Sequence, residues 1–298
     1  MTVFAQRPVL SPLAEARAWL GSLGLGAAPP PAPTTLLAED LVVRAPLPPL
    51  PTARRSGWAV AAEATLGAAP YSPVPVPGAR PVAAGEALAA GTDAVLPPEA
   101  ATDAGPWVEV TAEIAPGEGV VQPGGHFPED QVLARAGTEP TLLARLLASG
   151  GAEGMLPLLR PVTPEGLSLG PVACPVIAGL AARPIEDTAL GHDEEGRPAL
   201  SLPTDPAARL LAWLALLAPA AGRVDAILGR KLVSAVGLTD LVPVRLADGV
   251  ATPLAAPDSP SLSAFLLASG WIEVPPESEG VREGGRVTVT LLPSWLSG

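Results

Sequence analysis

Apolar positions recur at helical spacing in several stretches of the chain. After Ser11-Pro12, Leu13, Ala16 and Leu20 predict an amphipathic helix capped by that pair and closing near Gly21. Pro140 followed by Leu142, Leu143, Leu146 and Leu147 predicts a second, stopping at Gly150-Gly151. Asp205 can cap a third whose first position is Pro206. Leu210, Leu211, Trp213, Leu214, Leu216 and Leu217 cover most of its circumference, so it should be buried and run out at Pro219 and Gly222. Asp258-Ser259-Pro260 predicts the cap of a fourth, SLSAFLLASG, ended by Gly270. Elsewhere the period is two. From Val74 to Ile114 short strands lie between Pro and Gly breaks, and Trp107 to Ile114 alternates strictly, as do Leu241–Leu246 and Arg286–Leu291. A strand over Val172–Ile177 and another near Pro198–Leu202 complete the pattern.

Composition adds limits. A length of 298 residues fits about two domains, and a 48% hydrophobic share can build a core in each. With that share, 39 Pro and 31 Gly indicate many turns and short strands rather than disorder. The net charge is −12, and no basic cluster exceeds Arg54-Arg55 and Arg230-Lys231, so binding to nucleic acid lacks its electrostatic source. A single cysteine, Cys174, permits no internal disulfide and no thiolate metal site. The first residues carry no apolar leader segment, and the longest uncharged apolar run, from Leu210, falls short of the ~18 residues of a membrane span. The expectation is a soluble, cytoplasmic protein without nucleic-acid or membrane partners.

Several motifs, in order, carry a family resemblance. Arg183-Pro184-Ile185-Glu186-Asp187, a strand, then Leu202-Pro203-Thr204-Asp205-Pro206 resembles the R-P-G-K-P and L-P-G-N-P motifs of the molybdopterin molybdenumtransferase family, the MoeA and gephyrin E-domain type. Ile185 and Thr204 stand at motif glycines, and Glu186 stands at the motif lysine. In that family these loops help hold the phosphate end of molybdopterin, which a carboxylate repels. The segment LAEDLVVRAPLPPLPTARRSGWAVAAEA is similar to L-A-E-D-V … P-P-x-x-x-S-x-x-D-G-Y-A-V. Gly57, Ala59 and Val60 keep their places, Ser56 replaces the aspartate, and Arg54 and Arg55 are additions. Ala84 to Val95 resembles T-G-A-x-L-P-x-G-A-D-A-V; Gly85, Gly91 and Asp93 match, and Ala84 replaces the threonine. Gly117 to Gly151 resembles R-x-x-G-x-D before a helix, with Gly124 kept, Val121 for the arginine and His126 for the aspartate. Arg223 to Gly298 resembles the C-terminal β domain, with Ser259 before its helix. The T-G-D-E-L and G-G-x-S motifs of the family's α/β domain have no counterpart, and Pro171 to Gly222 is 52 residues where a doubly wound domain needs on the order of 100.

The resemblance implies an elongated, multidomain α+β chain. Its parts are a discontinuous helical linker domain (1–44 with 117–170), a small β domain (45–116), a truncated remnant of the α/β domain (171–222) without a Rossmann-like sheet, and a C-terminal β domain (223–298). It implies a homodimer serving a molybdoenzyme or another cofactor-biosynthesis protein, with molybdopterin or molybdenum cofactor as ligand. The replacements at Ser56, Ala84, His126 and Glu186, together with the shortened domain, point to a protein of molybdenum cofactor biosynthesis that binds, hands over or assembles the cofactor without inserting the metal. Two other readings stay open: an active transferase that inserts molybdate into adenylylated molybdopterin, which alone would need magnesium, and a dimeric scaffold with no pterin. By resemblance the cofactor-binding candidates are Arg54, Arg55, Ser56, Gly57, Gly85, His126, Arg183, Thr204, Asp205 and Ser259; no residue is assigned a catalytic or metal-ligating role.

Several candidates have plainer roles as alternatives. The turn Gly91-Thr92-Asp93 allows the Asp93 carboxylate to bond its own backbone, Ser259 reads first as a cap, His126 reads first as a solvated loop histidine, and Arg54-Arg55 read equally as solvated loop charges. Glu186, Asp187, Asp193, Glu194 and Glu195 form an acidic group around His192, either a solvated loop or a cation site. Lys231, the one lysine, lies in GRKLVS and not in a P-loop. No nucleophile elbow or G-x-G-x-x-G is present, and Cys174 in its apolar run reads as inert.

Overall fold

The computed structural model describes residues 9–26, 29–31, 35–149, 152–218, 221–259, 261–293 and 296. The predicted stops at Gly150-Gly151 and Pro219, and Pro260 of the predicted fourth cap, lie outside them. The architecture is α+β, with few helices and many strands. The chain forms two compact units, one from Ala45–Glu129 and the other from Pro8–Arg44 with Asp130–Gly298.

The first unit is built of short strands. Gly57–Val60 lies between Arg80–Val82 and Ala94–Leu96, antiparallel to both, and all four of its residues are buried. Trp107–Val110 lies between Val74–Pro77 and Ala101–Asp103. Trp58 and Val60 on one face of the central strand join Val76, Leu96, Val108 and Val110 in the main core. Ala59 on the other face packs with Ala53, Val82, Val95 and Val120. A strand buried on both faces needs apolar residues at every position, and Gly-Trp-Ala-Val supplies them. Gly57 is required for closeness: a Cβ there would overlap the Leu96 carbonyl. Trp107–Val110 alternates out and in as its sequence predicts, but the strand stops four residues short of Ile114. Beyond it the chain leaves the sheet for another partner, since the Ile114 N–H donates to the Thr65 hydroxyl (3.2 Å) and the Gly67 N–H to the Glu113 carboxylate (2.5 Å).

In the second unit α1 (Leu13–Ser22) buries Leu13, Ala16 and Leu20 as its spacing predicts. The expected cap is corrected. Pro12 holds the cap position with no side-chain bond, and Ser11 is drawn into a β-bridge, its N–H donating to Gly179 (2.9 Å) and its carbonyl accepting from Ala181 (2.8 Å). Leu41–Val42 pairs with Val132–Ala134. In α2 (Leu142–Ala148) the Thr141 hydroxyl caps the Ala144 N–H (3.0 Å). A further helix, α3 (Ala152–Leu159), follows despite Gly154 and Pro157 within it. In α4 (Pro206–Leu216) Ala207 through Ala215 are all buried, and the Trp213 indole N–H donates to the Thr163 hydroxyl (3.2 Å).

The strands of this unit form two main sheets. In the first the order is Ser168–Leu169, Pro198–Ser201, Ala189–His192, Cys174–Ile177, with one parallel pair and two antiparallel ones. In the second, Arg223–Leu228, Val250–Pro253, Thr239–Ala247, Gly270–Val274 and Arg286–Leu291 pair in a closed ring, filled by Leu228, Val242, Val244, Ile272, Val274 and Val289. Closure leaves no free edge among these five strands. Ala182–Arg183 adds to this sheet beside Thr239-Asp240. The predicted fourth helix is only α5 (Leu262–Phe265), with Ser261 at its cap position and no side-chain cap bond, and Gly270 begins a strand. No described helix is long and apolar enough to cross a membrane.

Candidate functional site

In the first unit five of the predicted residues are brought together. The chain leaves Thr52–Ala53, turns through residues 54–56 and enters the buried strand at Gly57. The 83–86 turn is stitched to it: the Gly85 N–H donates to Ala53 (2.7 Å), the Ala53 N–H to Glu86 (2.8 Å), and the Ala84 N–H to the Ser56 hydroxyl (3.0 Å). Gly85 has φ +83°, a left-handed conformation that suits glycine. On the other side the Arg54 N–H donates to Gly119 (2.8 Å), Arg54 Nη2 to the Val120 carbonyl (3.4 Å), and Arg55 Nη2 to the Val95 carbonyl (3.2 Å), with Glu118 at 3.7 Å. These bonds use one Nη of each guanidinium. Each therefore retains N–H donors, and Arg55 is exposed while Arg54 is half-buried. A cavity of about 320 Å³ in the same unit is lined by Pro51, Thr92, Asp93, Pro116, Gly117, Val120 and Gln122; neither arginine lines it, and Asp93 places a carboxylate in its wall.

Two expectations in this unit are corrected. The Asp93 carboxylate does not bond its own turn; it accepts the Ala62 N–H (2.7 Å) at the start of the 3₁₀ turn Ala62–Thr65. His126 is not a solvated loop residue. It is 4% exposed, and its N–H donates to the Leu47 carbonyl (2.9 Å).

In the second unit the motif loop is an ion-paired element. Arg183 donates from Nε and Nη2 to the two oxygens of Asp240, both at 2.6 Å, and Asp240 is fully buried. Asp258 and Glu186 lie near enough to hold the guanidinium further in its charged form. Burial pushes the Glu186 carboxyl up to about 7, the neighbouring Asp187 adds to the rise, and Arg183 opposes it. Ile185, at a motif glycine, is fully buried. One cation among three carboxylates, already bound bidentately, does not fit a phosphate.

The remaining candidates are local. Asp205, 4% exposed, caps α4 by accepting the Ala208 N–H (2.8 Å), and Arg209 Nε donates to the Pro203 carbonyl (2.7 Å), while Thr204 is exposed. Ser259 does not cap α5; its N–H closes a turn onto Ala256 (3.1 Å). The acidic group around His192 is also dispersed. Asp193 accepts from the N–H groups of Glu195 (3.1 Å) and Arg197 (2.9 Å) and from Arg197 Nε (2.9 Å), which closes the hairpin between Ala189–His192 and Pro198–Ser201. Among the described residues no three His, Cys, Asp or Glu are placed to hold a metal ion. Cys174 is free and exposed on an outer strand. Asp240 escaped the sequence analysis; its one signal is a lone charge at the entrance of the apolar run Leu241–Val244.

Comparison with known proteins bears on both units. A family model described as the MoeA N-terminal region (domain I and II) matches residues 13–150, and one described as the MoeA C-terminal region (domain IV) matches residues 225–292. No curated protein matches. Similar solved structures include two of molybdopterin biosynthesis MoeA protein from Pyrococcus horikoshii. One is 20% identical with TM-score 0.43 over 96% of this chain, the other 20% identical with TM-score 0.41 over 95%, and each is covered over 100% of its own chain. A molybdenum cofactor biosynthesis protein from Pyrococcus furiosus is 17% identical with TM-score 0.41, over 95% of this chain and 100% of its own.

Proposed function

This chain belongs to the MoeA-like family, and from that membership we propose that it acts in molybdenum cofactor biosynthesis as a homodimer that binds or hands over the cofactor without inserting the metal. The observation that carries the loss of insertion is the Arg183 loop. Its single cation is held by the buried Asp240, and Glu186, where the family resemblance has a lysine, is a carboxyl that becomes anionic as pH rises through about 7. A phosphate brought there would meet repulsion.

The anionic end of molybdopterin finds better partners in the first unit. Arg54 and Arg55 keep N–H donors, and the turn that carries them is fixed by the Ser56, Gly85 and Gly119 bonds. Guanidinium groups held in this way suit oxyanion recognition. Their role is to orient and retain the ligand.

The test combines turnover with binding. With adenylylated molybdopterin, magnesium and molybdate, no molybdate-dependent release of AMP is expected. Calorimetric titration with molybdopterin should give saturable heat that weakens about tenfold on Arg55→Ala. Molybdate-dependent AMP release would overturn the loss of insertion, and the absence of heat at any attainable concentration would overturn cofactor binding.

A further inference from the structure

A second cavity, of about 370 Å³, lies in the unit that contains α4, and no motif of the sequence points to it. It opens between the turn that follows α3, the short strand Ser168–Leu169 and the hairpin residue Arg197. No carboxylate lines it, in a chain with 30 acidic residues. Its polar lining resolves into used and unused groups. The Thr163 hydroxyl spends its one proton on the Leu159 carbonyl (2.8 Å) and accepts from Trp213 (3.2 Å), so it has no donor left for a ligand. Arg160, exposed, has no hydrogen bond or ion pair among the described residues, and neither does the half-buried Ser168 hydroxyl. Arg197 is fixed from one side, Nε and Nη2 on Asp193 (2.9 and 2.8 Å) and Nη2 on Glu195 (2.9 Å), so its charge is already matched by two carboxylates; it offers the cavity only its Nη1 N–H groups, and the unmatched positive charge is that of Arg160. What remains is one unpaired guanidinium, two N–H groups of a positioned one and a hydroxyl, above an apolar wall of Leu167 and Leu169.

Among side chains that set offers a cation no carboxylate and only hydroxyl oxygens, whereas Arg160, the Arg197 Nη1 group and Ser168 can all donate to an anion. The volume exceeds the need of a bare inorganic ion and lies at the lower end of the range for small organic ligands. We propose that this cavity binds a small organic oxyanion, a phosphate monoester or a carboxylate with an apolar body, whose charged end sits among Arg160, Arg197 and Ser168 and whose body lies on Leu167 and Leu169. The site is separate from Arg54 and Arg55, which belong to the other unit, and stands whether or not the chain handles molybdopterin.

Isothermal titration of the full chain with phenyl phosphate, benzoate and phenol tests this. At least one of the two anions should bind saturably at millimolar concentration or below, and phenol should not. Which anion binds tells phosphate from carboxylate. Affinity should fall about tenfold or more in Arg160→Gln, a substitution at an exposed side chain that should leave the melting temperature in place, and it should be unchanged in Arg55→Ala. Failure of both anions to saturate, equal affinity in Arg160→Gln, or loss in Arg55→Ala would each overturn the proposal.

Discussion

At Glu186 the sequence places a carboxylate in a motif loop, and the fold leaves it half-buried beside two other acids. Its folded pKa, about 7, lies above the ordinary value of 4.5. Between those values the native state therefore holds more protons than the unfolded chain, and stability falls as pH rises through that window. The contribution is favourable below about pH 4.5 and lost above about pH 7. Glu186→Gln removes the titration. It should be nearly neutral near pH 4 and stabilising by about 2 kcal/mol at pH 8, allowing for partial solvent relaxation of the half-buried charge. Paired urea titrations at the two pH values check this, and equal differences at both would count against a half-buried acid. That Arg183 matters was legible from the motif. That Asp240 holds it was not, because the two are 57 residues apart and meet only when Ala182–Arg183 joins Thr239-Asp240 in parallel.

Among the helices the sequence was most informative where a local bond decides the outcome. Asp205-Pro206 gives cap and first position, and the carboxylate takes the Ala208 N–H as expected. Ser11 and Ser259 carry the same kind of signal, yet their backbones are recruited elsewhere, to Gly179 and Ala181 in one case and to Ala256 in the other. A capping residue shows what a helix start could use; the partner that competes for Ser11 is distant in sequence and leaves no mark on that pattern, while Ser259 is held in a local turn that competes with the cap. α3 was missed for a different reason: Gly154 and Pro157 read as breakers, and the fold accommodates both. Ala189–His192 was missed because two strand residues and a glycine show no period until Pro198–Ser201 pairs with them. Asp205→Ala should cost about 1–2 kcal/mol and lower the melting temperature by several degrees, whereas Thr204→Ala, at the exposed neighbour, should change it little. Calorimetric melts of the two variants check the contrast.

Over the whole molecule, the Ala45–Glu129 unit and the remainder have separate cores. Trp58, Leu96 and Val110 fill the first, while Leu228, Val242 and Ile272 fill the closed barrel of the second. Chains of this kind need not unfold in one step, because each core can be lost without the other. Gly57 allows this to be tested with one methyl group. The atom that a Cβ would strike is the backbone carbonyl of Leu96, the partner of Trp58 in the adjacent strand, so no side-chain rotation relieves the overlap. Gly57→Ala should therefore destabilise its own unit by about 3 kcal/mol or more. Hydrogen exchange by mass spectrometry should show faster exchange in peptides from Ala45–Glu129, and protection in α4 and the Arg223–Leu228 strand should persist. Because Arg54 and Arg55 are carried on the turn that enters this strand, the variant should also lose molybdopterin binding, while the cavity at Arg160 keeps its affinity for phenyl phosphate or benzoate. If protection is lost throughout the chain, the two cores are energetically one, and the separation of the two ligand sites does not hold.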